Sequence, residues 1–185
     1  MKIAIIGGGI FGVQIAIKLS KNHSVEIFEK NGNILNSASG INQYRLHRGY
    51  HYPRSNETVQ SSMYSENKFR KEFSGAIIDS NEHYYCIAKE NSFTNSEQYI
   101  KFCKSNNLEF IKHDLEIINT KKIELCVNVK ESIFDPEILK KICWKKLKKN
   151  KIKVNLNVNV SIKDVQDYDY IIIATYSELN KLLDE

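Results

Sequence analysis

The residues whose types and spacing could do chemistry crowd into the first 55 positions. Gly7, Gly9 and Gly12 follow the pattern G-x-G-x-x-G, and an acid, Glu29, comes about 20 residues later. Gly7 suits a tight turn, Gly9 a backbone approaching a pyrophosphate, and Gly12 close packing of helix on strand. A helix starting there offers unpaired N–H groups and a positive dipole end to phosphates. Glu29 can accept hydrogen bonds from ribose hydroxyls, and its charge would repel a 2′-phosphate. The set points to an adenine dinucleotide and away from NADP.

A polar loop, Ser37–Ser55, follows. Arg45 is the first candidate for a cation that meets a carboxylate, because a guanidinium forks two hydrogen bonds onto one. Arg48 and Arg54 are alternatives, with a plain surface charge as the competing reading. His47 and His51 titrate near working pH and suit a base or an electrostatic partner, or an imidazole bonded to its own loop. Tyr50 and Tyr52 read as packing residues, and His23, His83 and His113 as incidental.

These residues need a scaffold. Ile3–Ile6 is a continuous β-branched run, expected of a strand buried on both faces of a parallel sheet. Ile10–Lys21 has helical spacing, and Val25–Phe28 is a second strand, so the start reads as a βαβ unit. Glu57–Phe73 returns to helix, with Val59, Met63, Tyr64 and Phe69 inward. His83–Ala88, Leu108–His113 and Ile123–Val129 read as strands around a helix at Gln98–Lys104. Asp135-Pro136-Glu137 starts a helix running to Lys149: a capping side chain, Pro at the first helical position, and an acid in the first turn. Val154–Val160 and Asp169–Thr175 are further strands, the last beside Ile3–Ile6. The fold class is α/β: a Rossmann-like nucleotide domain of residues 1–75 and 134–185, with an inserted partial α+β lobe at 76–133.

Composition narrows the function classes. The net charge of +5 is set largely by lysines between Lys140 and Lys153, which alternate with apolar residues as the solvated face of an amphipathic helix; no nucleic-acid partner is expected. No apolar run approaches the roughly 20 residues of a membrane span, and no cleavage site makes the N-terminus a signal peptide. Cys86, Cys103, Cys126 and Cys143 lack metal-ligand spacing and read as buried free thiols of a reducing, cytoplasmic compartment.

The small hydroxyl-rich segment Ser37-Ala38-Ser39-Gly40 after Glu29, followed by Arg45, His47 and Gly49, resembles the D-amino-acid-oxidase-like superfamily of FAD-dependent oxidoreductases. The branch it is most similar to includes the L-2-hydroxyglutarate oxidases. The order Phe134-Asp135-Pro136, helix, Val154–Val160, Asp169–Thr175 looks like the same family. The resemblance implies FAD as cofactor and oxidation of a small amino or 2-hydroxy acid by hydride transfer to flavin N5. Carried over, Gly7, Gly9 and Gly12 would contact the pyrophosphate, Glu29 the ribose, and Lys30 would lie near the adenine. Ser37, Ala38 and Ser39 would line the pyrophosphate and ribityl chain, while Asn42, Arg45 and His47 would approach the isoalloxazine. Val158 or Val160 would meet the adenine edge, and Ala174-Thr175 would flank the pyrophosphate. The family's Ala-Thr-Gly-like turn reads Ala174-Thr175-Tyr176 here, and family members run well beyond the length of this chain. A partner chain supplying the missing substrate half is therefore a further expectation. Two other classes stay open: an NAD-dependent dehydrogenase, disfavoured by the Arg45-x-His47 loop, and a non-catalytic dinucleotide-binding fragment.

Overall fold

Why the chain turns where it does is clearest at its first strand. Five residues with four buried in succession, β1 (Lys2–Ile6), sit between neighbours on both sides and end where the glycines permit a reversal. The computed structural model describes residues 1–79, 82–115 and 119–183. After β1 come α1 (Ile10–Leu19), β2 (Ser24–Glu29), β3 (Arg45–Leu46), α2 (Asn56–Phe73), β4 (Ile77–Ile78) and β5 (His83–Ala88). Then follow α3 (Ser96–Ser105), β6 (Phe110–Lys112), β7 (Ile123–Val129) and β8 (Ser132–Phe134). The chain closes with α4 (Pro136–Lys149), β9 (Lys153–Leu156), β10 (Tyr170–Ile173) and α5 (Leu179–Leu183).

These elements fall into two units, Met1–Gln43 with Pro136–Glu185, and Tyr44–Asp135. The first unit carries a parallel sheet ordered β10-β1-β2-β9, with Ile3 opposite Tyr170 and Val25, and Ile27 opposite Val154. This is the α/β, Rossmann-like arrangement the apolar runs imply. Ala4, Ile6, Val160, Val165 and Leu182 cluster in its interior. Helix α4 buries Leu139, Cys143 and Leu147, one per turn, and leaves Lys141, Lys145, Lys148 and Lys149 in solvent. Trp144 donates its indole N–H to Asn33 Oδ1 at 2.8 Å.

The second unit has two antiparallel sheets, β3-β8-β4 and β5-β7-β6. Tyr50, Val59, Tyr99, Phe102, Leu125, Val127 and Val129 form its core. Tyr50 is a packing residue, with its hydroxyl on the Glu109 carbonyl at 2.5 Å and burial pushing its pKa up to about 12.

Three expectations change. The first boundary falls after Gln43 and not after residue 75, because β3 pairs with β8 and α2 carries Val59 into the second core. The strand expected over Val154–Val160 stops at Leu156, where Asn157 takes φ +57° and turns the chain. On α2 the inward residue is Glu66, not Tyr64, which is 63% exposed. The cysteines also divide: Cys103, Cys126 and Cys143 are buried, but Cys86 is exposed. Among the described residues no helix is long and apolar enough to cross a membrane.

Candidate functional site

The glycine turn of the first unit is built by steric necessity. Gly7 has φ +111°, and a Cβ there would lie 2.4 Å from the Ala174 carbonyl oxygen. A Cβ on Gly12 would lie 2.0 Å from the Gly7 carbonyl oxygen, so only a hydrogen lets α1 seat on the turn. The N-cap of helix α1 is Gly9, which offers no side chain to cap the first turn. Ser39 Oγ instead accepts the Ile10 N–H from across the loop at 3.0 Å.

Glu29 is buried at the end of β2. Its Oε2 accepts the Gly8 N–H at 2.6 Å, and its Oε1 accepts the Asn31 N–H at 2.8 Å and the Asn31 side-chain amide at 2.6 Å. A carboxylate has about four acceptor positions, so one stays available for a hydroxyl. The loop is stitched to the same turn: Leu35 N–H donates to Gly8 O at 2.9 Å, Asn31 Nδ2 to Ser37 Oγ at 3.2 Å, and Asn42 Nδ2 to Ala38 O at 3.1 Å.

On the other side, Val158 N–H donates to Glu29 O at 3.0 Å, and Ala174 N–H to Ile6 O at 2.8 Å. Val158 is partly open, whereas Val160 is buried. Thr175 Oγ1 is buried with no hydrogen-bond partner among the described residues. Tyr176, where the sequence pattern would have glycine, adopts φ +55° and is 84% exposed. Lys30 lies near solvent, 3.7 Å from Glu178. A helix start whose N-cap residue is glycine, a turn closed to side chains, an incompletely filled carboxylate and an orphan hydroxyl fit an adenine dinucleotide.

Arg45, His47 and His51 belong to the second unit, where the structure brings them together around a residue the sequence did not flag. Glu131 is 1% exposed. Its carboxylate accepts from Arg45 Nη2, from the Tyr85 hydroxyl at 3.0 Å and from the Arg48 backbone N–H at 2.9 Å. Arg45 Nη2 also donates to Tyr85 Oη at 2.6 Å, and its guanidinium lies over the Tyr85 ring at 4.7 Å. His47 Nδ1 stands 3.7 Å from Oε1, beyond hydrogen-bond distance, and His83 Nδ1 4.0 Å from Oε2. The His47 and His51 rings are 6.0 Å apart, and His51 packs on Tyr85 at 5.9 Å.

Burial pushes the Glu131 carboxyl up, but the facing His47 ring, the Arg48 amide and the Arg45 charge outweigh it and hold it at about 2. Burial, then the Arg45 charge, lowers the pKa of His83, and burial raises that of the Tyr85 phenol, so both stay neutral. His83 is therefore part of this cluster and not incidental. Arg45 is also not a free cation: its charge is matched inside the fold. Arg48 Nε stands 3.7 Å from buried Glu66, which also takes Arg70 Nε at 2.8 Å. Arg54 lies over Phe93 at the surface.

The signal for Glu131 was in the sequence. Leu125, Val127 and Val129 point inward at period two, and Glu131 is the next step on that face.

Comparison with known proteins places the chain in context. A family model described as FAD dependent oxidoreductase (DAO) matches residues 2–137. An FAD-dependent monooxygenase, kojA, of Aspergillus flavus is 31% identical over 96 residues, 51% of this chain and 22% of that protein. Among solved structures, NikD, an amino acid oxidase of nikkomycin biosynthesis, matches with a TM-score of 0.70 at 13% identity, covering 98% of this chain and 53% of that one. Glycine oxidase from Geobacillus kaustophilus matches with a TM-score of 0.62 at 16% identity, covering 85% of this chain and 47% of that one. An FAD-bound L-α-glycerophosphate oxidase of Mycoplasma pneumoniae gives 0.61 at 16% identity, covering 86% and 45%. The chain spans about half the length of these structures.

Proposed function

Because the chain belongs to the FAD dependent oxidoreductase family, we propose that it is the FAD-binding portion of an enzyme oxidising a small amino or 2-hydroxy acid. The observation that carries this reading is the glycine turn under α1, whose N-cap residue Gly9 has no capping side chain, with Glu29 buried beside it. Bound FAD supplies the hydride acceptor, its N5. Gly7, Gly9 and Gly12 face the pyrophosphate, Glu29 the adenosine ribose, and Lys30 and Val158 the adenine. Ser37, Ala38 and Ser39 line the pyrophosphate and ribityl chain, Asn42 lies toward the isoalloxazine, and Ala174 and Thr175 flank the pyrophosphate.

In the second unit Glu131 fixes Arg45 and the loop that carries it. Arg45 then acts by positioning, and the more open His47 and His51 meet the substrate. The finest form of the proposal is the L-2-hydroxyglutarate oxidase branch, resting on the Ser39-Gly40 and His47-x-Gly49 segment. It extends to a cytoplasmic protein and to a partner chain that supplies the rest of the substrate site. The relatives are named as an FAD-dependent monooxygenase, a glycine oxidase and an FAD-bound glycerophosphate oxidase, so their substrates differ and the substrate is what the experiment decides.

The full chain, purified, is expected to be yellow, to release FAD on acid denaturation, and to bleach when a small amino or 2-hydroxy acid is added without oxygen. A yellow chain bleached by no member of such a panel keeps the cofactor and replaces the enzyme with the non-catalytic fragment. A colourless chain that binds NADH overturns the reading altogether.

A further inference from the structure

We propose that Cys86 and Cys126 form a peroxide-sensitive modification site, closing to an intrachain cross-strand disulfide. The two residues are direct partners in the antiparallel pair β5–β7, flanked by Tyr85 opposite Val127 and Ile87 opposite Leu125. Their sulfurs lie 3.1 Å apart. Residues directly opposite in an antiparallel pair have Cα atoms about 4.5–5.5 Å apart, inside the roughly 4.4–6.8 Å that disulfides span. The sulfurs therefore need to close by only about 1 Å, with no change of register.

Access divides the labour between the two thiols. Cys86 lies on the edge strand of its sheet and is exposed, whereas Cys126, on the central strand, is 8% exposed. One sulfur can meet an oxidant, and the other is shielded and held against it. Burial, reinforced by Cys86, pushes the Cys126 thiol up to about 12, so it waits as a thiol and is not a competing target. Cys103 and Cys143 are both fully buried and serve as internal controls.

The chemistry balances with a hydroperoxide as oxidant. Cys86 gives up its proton, its sulfur attacks one oxygen of hydrogen peroxide, the O–O bond breaks, and a sulfenic acid forms while the departing hydroxide takes up that proton and leaves as water. Cys126 sulfur then attacks Cys86 sulfur; the S–S bond forms, the S–O bond breaks, and the departing hydroxide takes the Cys126 proton as a second water. Two thiols are oxidised and one peroxide is reduced to two waters. Nothing in this step requires bound flavin.

The test treats the full chain with a small excess of hydrogen peroxide, alkylates it after denaturation, and maps unreduced peptides by mass spectrometry. The expected product is a Cys86–Cys126 linked peptide lighter by two hydrogens, reversed by dithiothreitol, with Cys103 and Cys143 alkylated. In Cys86→Ser, at an exposed position, the same treatment leaves Cys126 alkylated and no bridge forms. Wild-type chain ending with Cys86 as sulfinic acid and Cys126 alkylated would overturn the proposal. So would a bridge through Cys103 or Cys143, or all four cysteines still alkylated.

Discussion

The first unit holds its acid mainly with backbone amides, and the second holds its acid mainly with side chains, the Arg48 amide being the one backbone donor described there. Glu29 is met by the Gly8 and Asn31 amides and by the Asn31 side chain, all close to it along the fold of one βαβ unit. Glu131 is met by Arg45 and Tyr85, which lie 86 and 46 residues away in sequence. Local backbone can make a binding edge with an open acceptor position. A buried charge gathered from distant strands makes a rigid joint, because it tolerates no missing partner. The contrast is what the proposed function rests on, with cofactor binding in the first unit and loop positioning in the second.

The sharpest way to break that contrast is at Glu131. Glu131→Gln leaves Arg45 charged and unmatched in the fold, and is expected to cost about 3–5 kcal/mol of unfolding free energy in urea titration. The wild-type protein carries a matching pH signature. The carboxyl titrates near 4.5 when unfolded and at about 2 when folded, so the unfolded chain takes up the proton first as pH falls. The stabilisation is complete above about 4.5 and is lost progressively as the pH drops from there toward about 2, a slope that the Gln variant lacks. Equal stability of the two proteins would return Glu131 to the status of an ordinary core residue.

Gly12→Ala tests the other side. Its Cβ would meet the Gly7 carbonyl at 2.0 Å, so α1 must lift off the turn. The expected cost is about 1–3 kcal/mol, with loss of bound flavin in the purified protein's visible spectrum. A yellow, fully stable Ala variant would show that the turn is not built as described. The smallest effect has the opposite sign. Tyr176 stands at φ +55° and makes no buried contact, so Tyr176→Gly relieves left-handed strain and is expected to raise stability by about 1 kcal/mol in thermal melts.

What the sequence made legible follows the same division. The glycine spacing, the two apolar runs and Glu29 declare themselves because each depends on neighbours within one turn or strand. The pairing of Ile3–Ile6 with Tyr170–Ile173 was readable from two continuous apolar runs, although only the first is buried and Tyr170–Ile173 forms the edge strand. Glu131, Tyr85 and His83 were not readable as a set, since nothing local says that β3, β5 and the end of β7 converge. Arg45 stands out in the sequence by type and spacing, but Glu131, which it meets in the fold, decides its role. The shortening of β9 at Leu156 escaped because an apolar alternation continues through Val158 and Val160 while Asn157 turns the backbone.

Equilibrium titration of the flavin-free full chain with FAD, and separately with NADH, followed by flavin and Trp144 fluorescence, tests the central claim most directly. One FAD per chain should bind, with NADH unable to displace it. NADH binding more tightly than FAD, or neither nucleotide binding to a folded chain, would contradict the assignment of the first unit.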